Sequence, residues 1–273
     1  MSQKYNVFLV SDSTGETIER IFYAIKSQFA NFEYVLKEFV FIRTETQVDK
    51  IIGECKELEN VVILYTIVET KLAKYVANKA AESQIPCFGI LGNLILNFSK
   101  ILNQKATHKP SAQHVLDENY YKRIDAIQYT MSHDDGNKAA EADQADIILL
   151  GVSRTSKTPT SIYLANRGFK TLNIPLVNSK SVPDSIKQAK DKQCIIGLVA
   201  EPERLADIRR NRMAIMNDRK TTDYTDLEKI KKEVEESKAL FKKQGWPVID
   251  VTRRSVEETA ASIIKIYDIK NNK

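Results

Sequence analysis

Lys157 and Thr158 follow directly on a polar turn, Gly151-Val152-Ser153-Arg154-Thr155-Ser156, which itself follows the apolar run from Ala145 to Leu150. That order suits the handling of phosphate. A buried strand would end at Gly151, a tight loop would follow, and a helix would begin at Lys157. Backbone N–H groups in a first helical turn have no partner inside the helix and point toward an incoming anion. Lys157 would set a point charge on a terminal phosphate, and the Thr158 hydroxyl would reach a bridging magnesium ion. The usual phosphate-loop pattern is G-x-x-x-x-G-K-[ST]. Here Ser156 replaces the second glycine, which removes freedom to take positive φ. The plain alternative is an ordinary strand-to-helix turn with a lysine in its first turn.

Three other clusters carry chemistry. His133-Asp134-Asp135-Gly136 puts two carboxylates and an imidazole into a Gly-ended turn. It reads as an exposed loop, or as a base and a metal-side carboxylate delivered next to the lysine loop. Arg204, Arg209, Arg210 and Arg212 are expected to project outward from a helix whose Leu205 and Ile208 face inward. They are solvated, or they form a lid whose planar guanidinium groups clamp phosphates. Ser11-Asp12-Ser13-Thr14-Gly15-Glu16-Thr17 lies between a strand-like run and a helix. Ser13 or Thr14 would cap that helix, or the turn is a second anion or hydroxyl site.

The elements that must position these groups alternate. Tyr5 to Val10 reads as a strand, followed by a helix with Ile18, Ile21, Phe22, Ile25 and Phe29 on one face. Strands are expected over Phe32–Ile42, Asn60–Ile67 and near Pro86–Leu91, with helices over Val48–Leu58, Glu69–Ser83 and Leu94–Leu102. After an interruption at His108, Lys109 and Pro110 comes a helix over Asp117–Tyr129, with Tyr120, Ile124 and Ile127 on one side. The second half reads as a strand from Ala145, a helix from Lys157 ending near Gly168, a strand over Lys170–Leu176 and a helix over Val182–Lys190. A strand over Cys194–Val199, the arginine helix and a long charged helix over Asp223–Gln244 follow. A strand over Trp246–Thr252 and a helix from its cap Ser255 through Ile266 close the chain. Strand–helix alternation predicts α/β architecture with parallel sheets. The expected organisation is an N-terminal α/β domain over 1–103, a connecting segment over 104–144, and a kinase-like phosphate-loop α/β domain over 145–273, the last by fold-level analogy.

The chain has 273 residues, 42% of them hydrophobic, enough for one large core or two moderate ones. With 41 Lys+Arg against 36 Asp+Glu, its formal charge of +5 is too mild to indicate a nucleic-acid partner and suits small phosphorylated ligands. Cys55, Cys87 and Cys194 are scattered, and His108, His114 and His133 lack zinc-type spacing. Neither a signal peptide nor a membrane-spanning run is visible. These features set the expectation of a soluble, cytoplasmic protein with reduced thiols and no membrane partner.

Taken together, the motifs resemble those of the bacterial regulatory proteins that act on pyruvate, phosphate dikinase or phosphoenolpyruvate synthase. The resemblance rests on Ser11–Thr17, the run His114–Ile127, His133–Gly136, Gly151–Ser161, and Pro202–Leu205 with Ile208-Arg209. It spans nearly the whole chain in order, and in that family a Ser before the Lys is expected. The resemblance implies a bifunctional enzyme. It would phosphorylate a Thr of its target with ADP as donor, and remove that mark with inorganic phosphate, releasing pyrophosphate. Residues 151–158 (Gly151, Val152, Ser153, Arg154, Thr155, Ser156, Lys157, Thr158) would hold ADP, with Mg2+ on Thr158. Lys157 and Arg209 would serve catalysis, and Asp135, Asp134 or Asp12 would be the base. The competing readings are a small-molecule kinase preferring ATP and a non-catalytic nucleotide sensor that sequesters a partner. The choice of target and the oligomeric state stay open, a homodimer among the options.

Overall fold

The computed structural model describes residues 3–113, 116–136, 139–176, 182–187, 193–216 and 223–271. Among the residues singled out above, His114, Val115 and positions 188–190 lie outside that set. The chain divides into two compact units, Met1–Val115 and Leu116–Lys273. Residues 104–144, set apart above as a connecting segment, are thus shared between the two.

The first unit runs β1 (Lys4–Ser11), α1 (Glu16–Lys26), β2 (Glu33–Phe39), α2 (Glu45–Lys56), β3 (Val61–Thr66), α3 (Thr70–Glu82), β4 (Cys87–Gly89) and α4 (Gly92–Leu102). Its sheet has the order β2-β1-β3-β4, and every pairing is parallel. Successive side chains of a strand point to opposite faces, and β1 shows it. Phe8 and Val10 pack with Val48, Ile52 and Val76 on one face, Val7 and Leu9 with Ile18 and Phe22 on the other. The apolar stripe expected on α1 is narrower than its spacing suggested. Ile18 and Phe22 are buried, Ile25 is exposed, and Phe29 is exposed beyond the helix end.

The second unit runs α5 (Glu118–Ser132), two 3-10 turns (Asp134–Gly136 and Ala139–Gln144), β5 (Ile147–Gly151), α6 (Lys157–Asn166), β6 (Thr171–Pro175), α7 (Asp184–Lys187) and β7 (Cys194–Val199). After these come α8 (Pro202–Met216), a 3-10 turn (Asp223–Thr225), α9 (Leu227–Gln244), β8 (Val248–Asp250) and α10 (Val256–Asn271). Its sheet, β6-β5-β7-β8, is also wholly parallel. Parallel sheets are covered on both faces, so their inner strands are continuous apolar runs. Ile147, Ile148, Leu149 and Leu150 are all fully buried, each burial contributing about 1.5–3 kcal/mol.

Several expectations shift. The buried face of α5 is Ala126, Tyr129 and Thr130, while Ile124 is exposed. The charged segment after Asp223 is a turn and a helix rather than one helix, because Asp226 accepts from the amides of Glu228 and Lys229 and starts α9 afresh. The Ser255 cap is present as a reciprocal pair with Glu258. The expected capping of α1 by Ser13 or Thr14 is not. Gly15 is the N-cap, at φ +86°, and no side chain bonds the first turn. Helices α2, α3, α5 and α9 have side-chain caps, whereas α1, α4 and α6 have none. Helices α1 and α6 follow the first strand of each sheet. There the strand order reverses direction, which is where open parallel sheets bind ligands.

Candidate active site

Strand β5 ends at Gly151 against its neighbour β7. A Cβ at position 151 would lie 2.6 Å from the Leu198 carbonyl oxygen and 2.7 Å from Thr155 Oγ1. Only glycine fits without moving the strand or the loop. Gly151→Ala should therefore cost about 1–3 kcal/mol through overpacking, seen as a lower denaturation midpoint. An unchanged midpoint would show that the loop yields freely.

The loop after Gly151 closes on its own backbone. The Val152 carbonyl accepts from Thr155 Oγ1 at 2.9 Å and from Lys157 Nζ at 2.9 Å. Arg154 and Ser156 take φ +75° and +56°. Ser156 thus adopts the left-handed conformation that the missing glycine would have taken more cheaply. Such residues cost on the order of 1–3 kcal/mol each and persist where the surroundings impose them. Turns of this sort gather backbone N–H groups into an anion-binding concavity, and α6 begins there without a side-chain cap.

Lys157 is 6% exposed. Burial pushes its ammonium pKa down to about 8, against the opposing pull of the Asp135 and Asp134 charges. An anion binds the protonated form. Affinity for a diphosphate should therefore be flat below pH 8 and fall up to tenfold per unit above it, until the pKa of the complex is reached. Calorimetric titration with ADP from pH 6.5 to 9.5 measures this, and a flat profile would contradict it.

Two side-chain groups brace the loop. On one side are Thr158, Asp134 and Asn173. Thr158 Oγ1 donates to Asp134 Oδ1 at 3.1 Å, and the Asn173 side-chain amide donates to both Asp134 Oδ1 and Thr158 Oγ1. Asn173 lies in β6, fully buried, and its Oδ1 has no hydrogen-bond partner among the described residues. The turn at 133–136 thus meets the start of α6. His133 is buried in a structural role: its ring stacks on Tyr129 at 3.8 Å, Nδ1 lies 2.7 Å from the Tyr129 carbonyl, and Nε2 lies 3.2 Å from Glu141 Oε2. Asp135 is exposed, with φ +53°.

On the other side is Arg209, and here the expectation fails. It does not project outward but is 1% exposed. Its Nη2 donates to Glu233 Oε2 at 2.7 Å and to the Ser153 carbonyl at 3.2 Å, and its Nη1 donates to the Tyr224 carbonyl at 3.2 Å. Position 209 is four residues after the buried Leu205, hence on the same helix face. Arg204, Arg210 and Arg212 are exposed as expected, Arg210 paired with Asp207. Tyr224 completes the brace. Its hydroxyl lies 3.1 Å from Ser153 Oγ and accepts from Arg154 Nε at 3.2 Å. Burial raises its pKa, but those hydrogen bonds and the Arg154 and Arg209 charges outweigh burial and leave it below the usual tyrosine range.

Asp12 lies in the first unit, where its Oδ2 accepts from the Val68 amide at 2.7 Å. Sequence reasoning missed Asn173, Tyr224 and Glu233. A polar residue inside a buried strand is a signal that could have found Asn173. No local pattern marks Tyr224. No group of three or more His, Cys, Asp or Glu residues able to hold a metal occurs among the described residues, and no helix there is long and apolar enough to cross a membrane.

The loop after β5 thus brings together a buried lysine, two left-handed residues and a helix start without a side-chain cap. A family model described as kinase/pyrophosphorylase matches residues 7–264. A protein of Pelagibacter ubique named "Putative pyruvate, phosphate dikinase regulatory protein" is 62% identical over 272 residues, covering 100% of this chain and 99% of that one. Proteins of the same name from Paramagnetospirillum magneticum and Sphingopyxis alaskensis are 41% and 43% identical, over 97% of this chain and 85% and 97% of theirs.

Proposed function

Since the chain belongs to the kinase/pyrophosphorylase family, we propose that it inactivates pyruvate, phosphate dikinase by ADP-dependent phosphorylation of a threonine and reactivates it with inorganic phosphate. The observation that carries this reading is the loop itself: an uncapped helix start, two left-handed residues and a buried lysine whose only hydrogen bond among the described residues is to the loop carbonyl it would exchange for a phosphate.

In the forward direction the target hydroxyl attacks the terminal phosphorus of ADP. The bond to the bridging oxygen breaks, AMP leaves, and the hydroxyl proton passes to a carboxylate. Asp135 is the exposed carboxylate at this end of the site, and its charge acts on Lys157. Asp134 is engaged by Thr158 and Asn173, and Asp12 holds the Val68 amide. We therefore assign the base to Asp135. Lys157 and the loop amides stabilise the charge spread over the moving phosphoryl group. A magnesium ion suits the oxygen donors of Thr158, Asp134 and Asn173, whose orphaned Oδ1 is buried. Bound there, it would supply Lewis-acid screening of the phosphates.

In the return direction an oxygen of inorganic phosphate attacks the phosphothreonine phosphorus. The Thr oxygen–phosphorus bond breaks, pyrophosphate forms, and the proton carried by phosphate passes to the threonine oxygen. No base is required, only screening of two meeting anions by Lys157 and its surroundings. Asp135→Asn, which keeps a residue tolerant of the left-handed backbone, should lower the forward rate about 10²-fold and the return rate less than tenfold. Equal losses would refute the assignment.

The reading as a whole is tested by incubating the chain with pyruvate, phosphate dikinase, ADP and magnesium and mapping phosphosites by mass spectrometry, with phosphoenolpyruvate synthase and ATP as parallel arms. Threonine phosphorylation of the dikinase with ADP is the expected result. Its absence in every arm would favour the sensor, and transfer only from ATP to a free metabolite would favour the small-molecule kinase.

A further inference from the structure

Arg154 is held differently from its neighbours Arg209 and Arg210. Arg209 donates to the Glu233 carboxylate and Arg210 to that of Asp207, so a negative charge meets each. Arg154 has no carboxylate partner among the described residues. Its one hydrogen bond there runs from Nε to the Tyr224 hydroxyl at 3.2 Å. A guanidinium carries five N–H donors, and those on Nη1 and Nη2 are without a partner among the described residues. The side chain is half-buried. A cation drawn partly out of water and left without an anion is costly unless an anion is brought to it. The neutral phenol fixes this arginine in place without cancelling its charge.

Tyr224 is itself well anchored. It sits in the turn Asp223–Thr225. Its carbonyl accepts from Arg209 Nη1 at 3.2 Å, and its ring centroid lies 4.9 Å from Arg209 Cζ. Its hydroxyl lies 3.1 Å from Ser153 Oγ. Backbone, ring and tip are each held, so the phenol oxygen is a fixed point to which Arg154 is tied. The Arg154 charge also reaches the buried lysine: burial is the main cause of the lowered Lys157 pKa, and Arg154 lowers it further, against Asp135 and Asp134. Two cations thus converge on one turn, one of them with its forked end open. Resting on the donor reading above, we propose that Tyr224 is a positioning residue that makes this loop select a diphosphate over a monophosphate. It orients Arg154 so that the open Nη fork joins Lys157 on the terminal phosphate of ADP. A planar fork meets two phosphate oxygens at once. AMP lacks the group that the fork grips, so the donor is held and the spent nucleotide is let go.

The test is calorimetric titration of the full chain with ADP and with AMP, in the parent, Tyr224→Phe, Arg154→Met and the double variant. Tyr224→Phe removes only the hydroxyl. It should weaken ADP about tenfold, as expected for one hydrogen bond to a charged group, and AMP by less than about twofold. Arg154→Met should weaken ADP at least as much. Adding Tyr224→Phe to Arg154→Met should then change ADP affinity by less than about twofold, because the hydroxyl acts through the arginine. Equal weakening of ADP and AMP by Tyr224→Phe would show that the hydroxyl only supports the loop, and would overturn the proposal. So would additive losses in the double variant, or a Tyr224→Phe chain that binds ADP as the parent does. If AMP binds the parent too weakly to titrate, the cycle on ADP decides alone. Lys157→Met, titrated in parallel, separates this role from the donor reading. ADP binding that needs Lys157 but ignores Tyr224 would overturn the positioning role alone. No ADP binding by the parent, or binding indifferent to Lys157, would overturn both.

Discussion

Replacing Lys157 with alanine is expected to abolish phosphorylation and its reversal together, each by on the order of 10³-fold or more. In the proposed reactions both directions would place negative charge at the same spot, the terminal phosphoryl of ADP in one and two phosphates in the other. Lys157 is the cation that the loop buries next to it, held on the Val152 carbonyl. The loss should not come from unfolding. Burial already disfavours the charged ammonium and holds its pKa at about 8, so removing the charge relieves a penalty. Lys157→Met, which retains the apolar stem, should match the alanine variant in inactivity while melting no lower than the parent. Turnover in both directions, compared with denaturation midpoints, separates the effects. Activity within tenfold of the parent would contradict the role given to this lysine.

Arg209→Ala should be the most damaging change to the framework of the site. One guanidinium holds the Ser153 carbonyl, the Tyr224 carbonyl and Glu233 at once, and lies 4.9 Å from the Tyr224 ring centroid. Breaking a buried pair by removing one partner costs about 3–5 kcal/mol. The lower end applies here, because the Glu233 side chain is 31% exposed and can hydrate. The loop would lose its anchor on the α8–α9 side, and Tyr224 would no longer fix Ser153 and Arg154. Arg209→Lys should rescue little, since a point charge cannot satisfy three acceptors in a planar fork. Denaturant unfolding and ADP titration of both variants check this. A midpoint equal to the parent's would show that the network is dispensable.

The elements that carry the site were largely legible. Continuous apolar runs gave β5 and β7, the latter with its bounds unchanged, and the shift to polar residues at Gly151 placed the start of α6. Those signals are local, and burial on both faces of a parallel sheet makes them strong. What escaped was set by tertiary packing. The charge of Arg209 outweighed its spacing of four from Leu205, although that spacing puts it on the buried face. Asp134 and Asp135 are equivalent on paper; the left-handed backbone at Asp135 leaves that carboxylate exposed while Asp134 meets Thr158. Tyr224 reaches Ser153 from 71 residues away, and no periodicity encodes such a contact. The turn at Ser11–Thr17 read equally as cap or anion site; the N-cap of α1 is Gly15 rather than Ser13 or Thr14, because the turn there takes a positive φ that glycine adopts freely.

A crystal structure of the chain with ADP and magnesium tests the central claim most directly. The account predicts the terminal phosphate within hydrogen-bond distance of backbone N–H groups of residues 153–158, with Lys157 Nζ moved from the Val152 carbonyl onto a phosphate oxygen. An ordered nucleotide bound elsewhere, with that lysine still on its carbonyl, would contradict it.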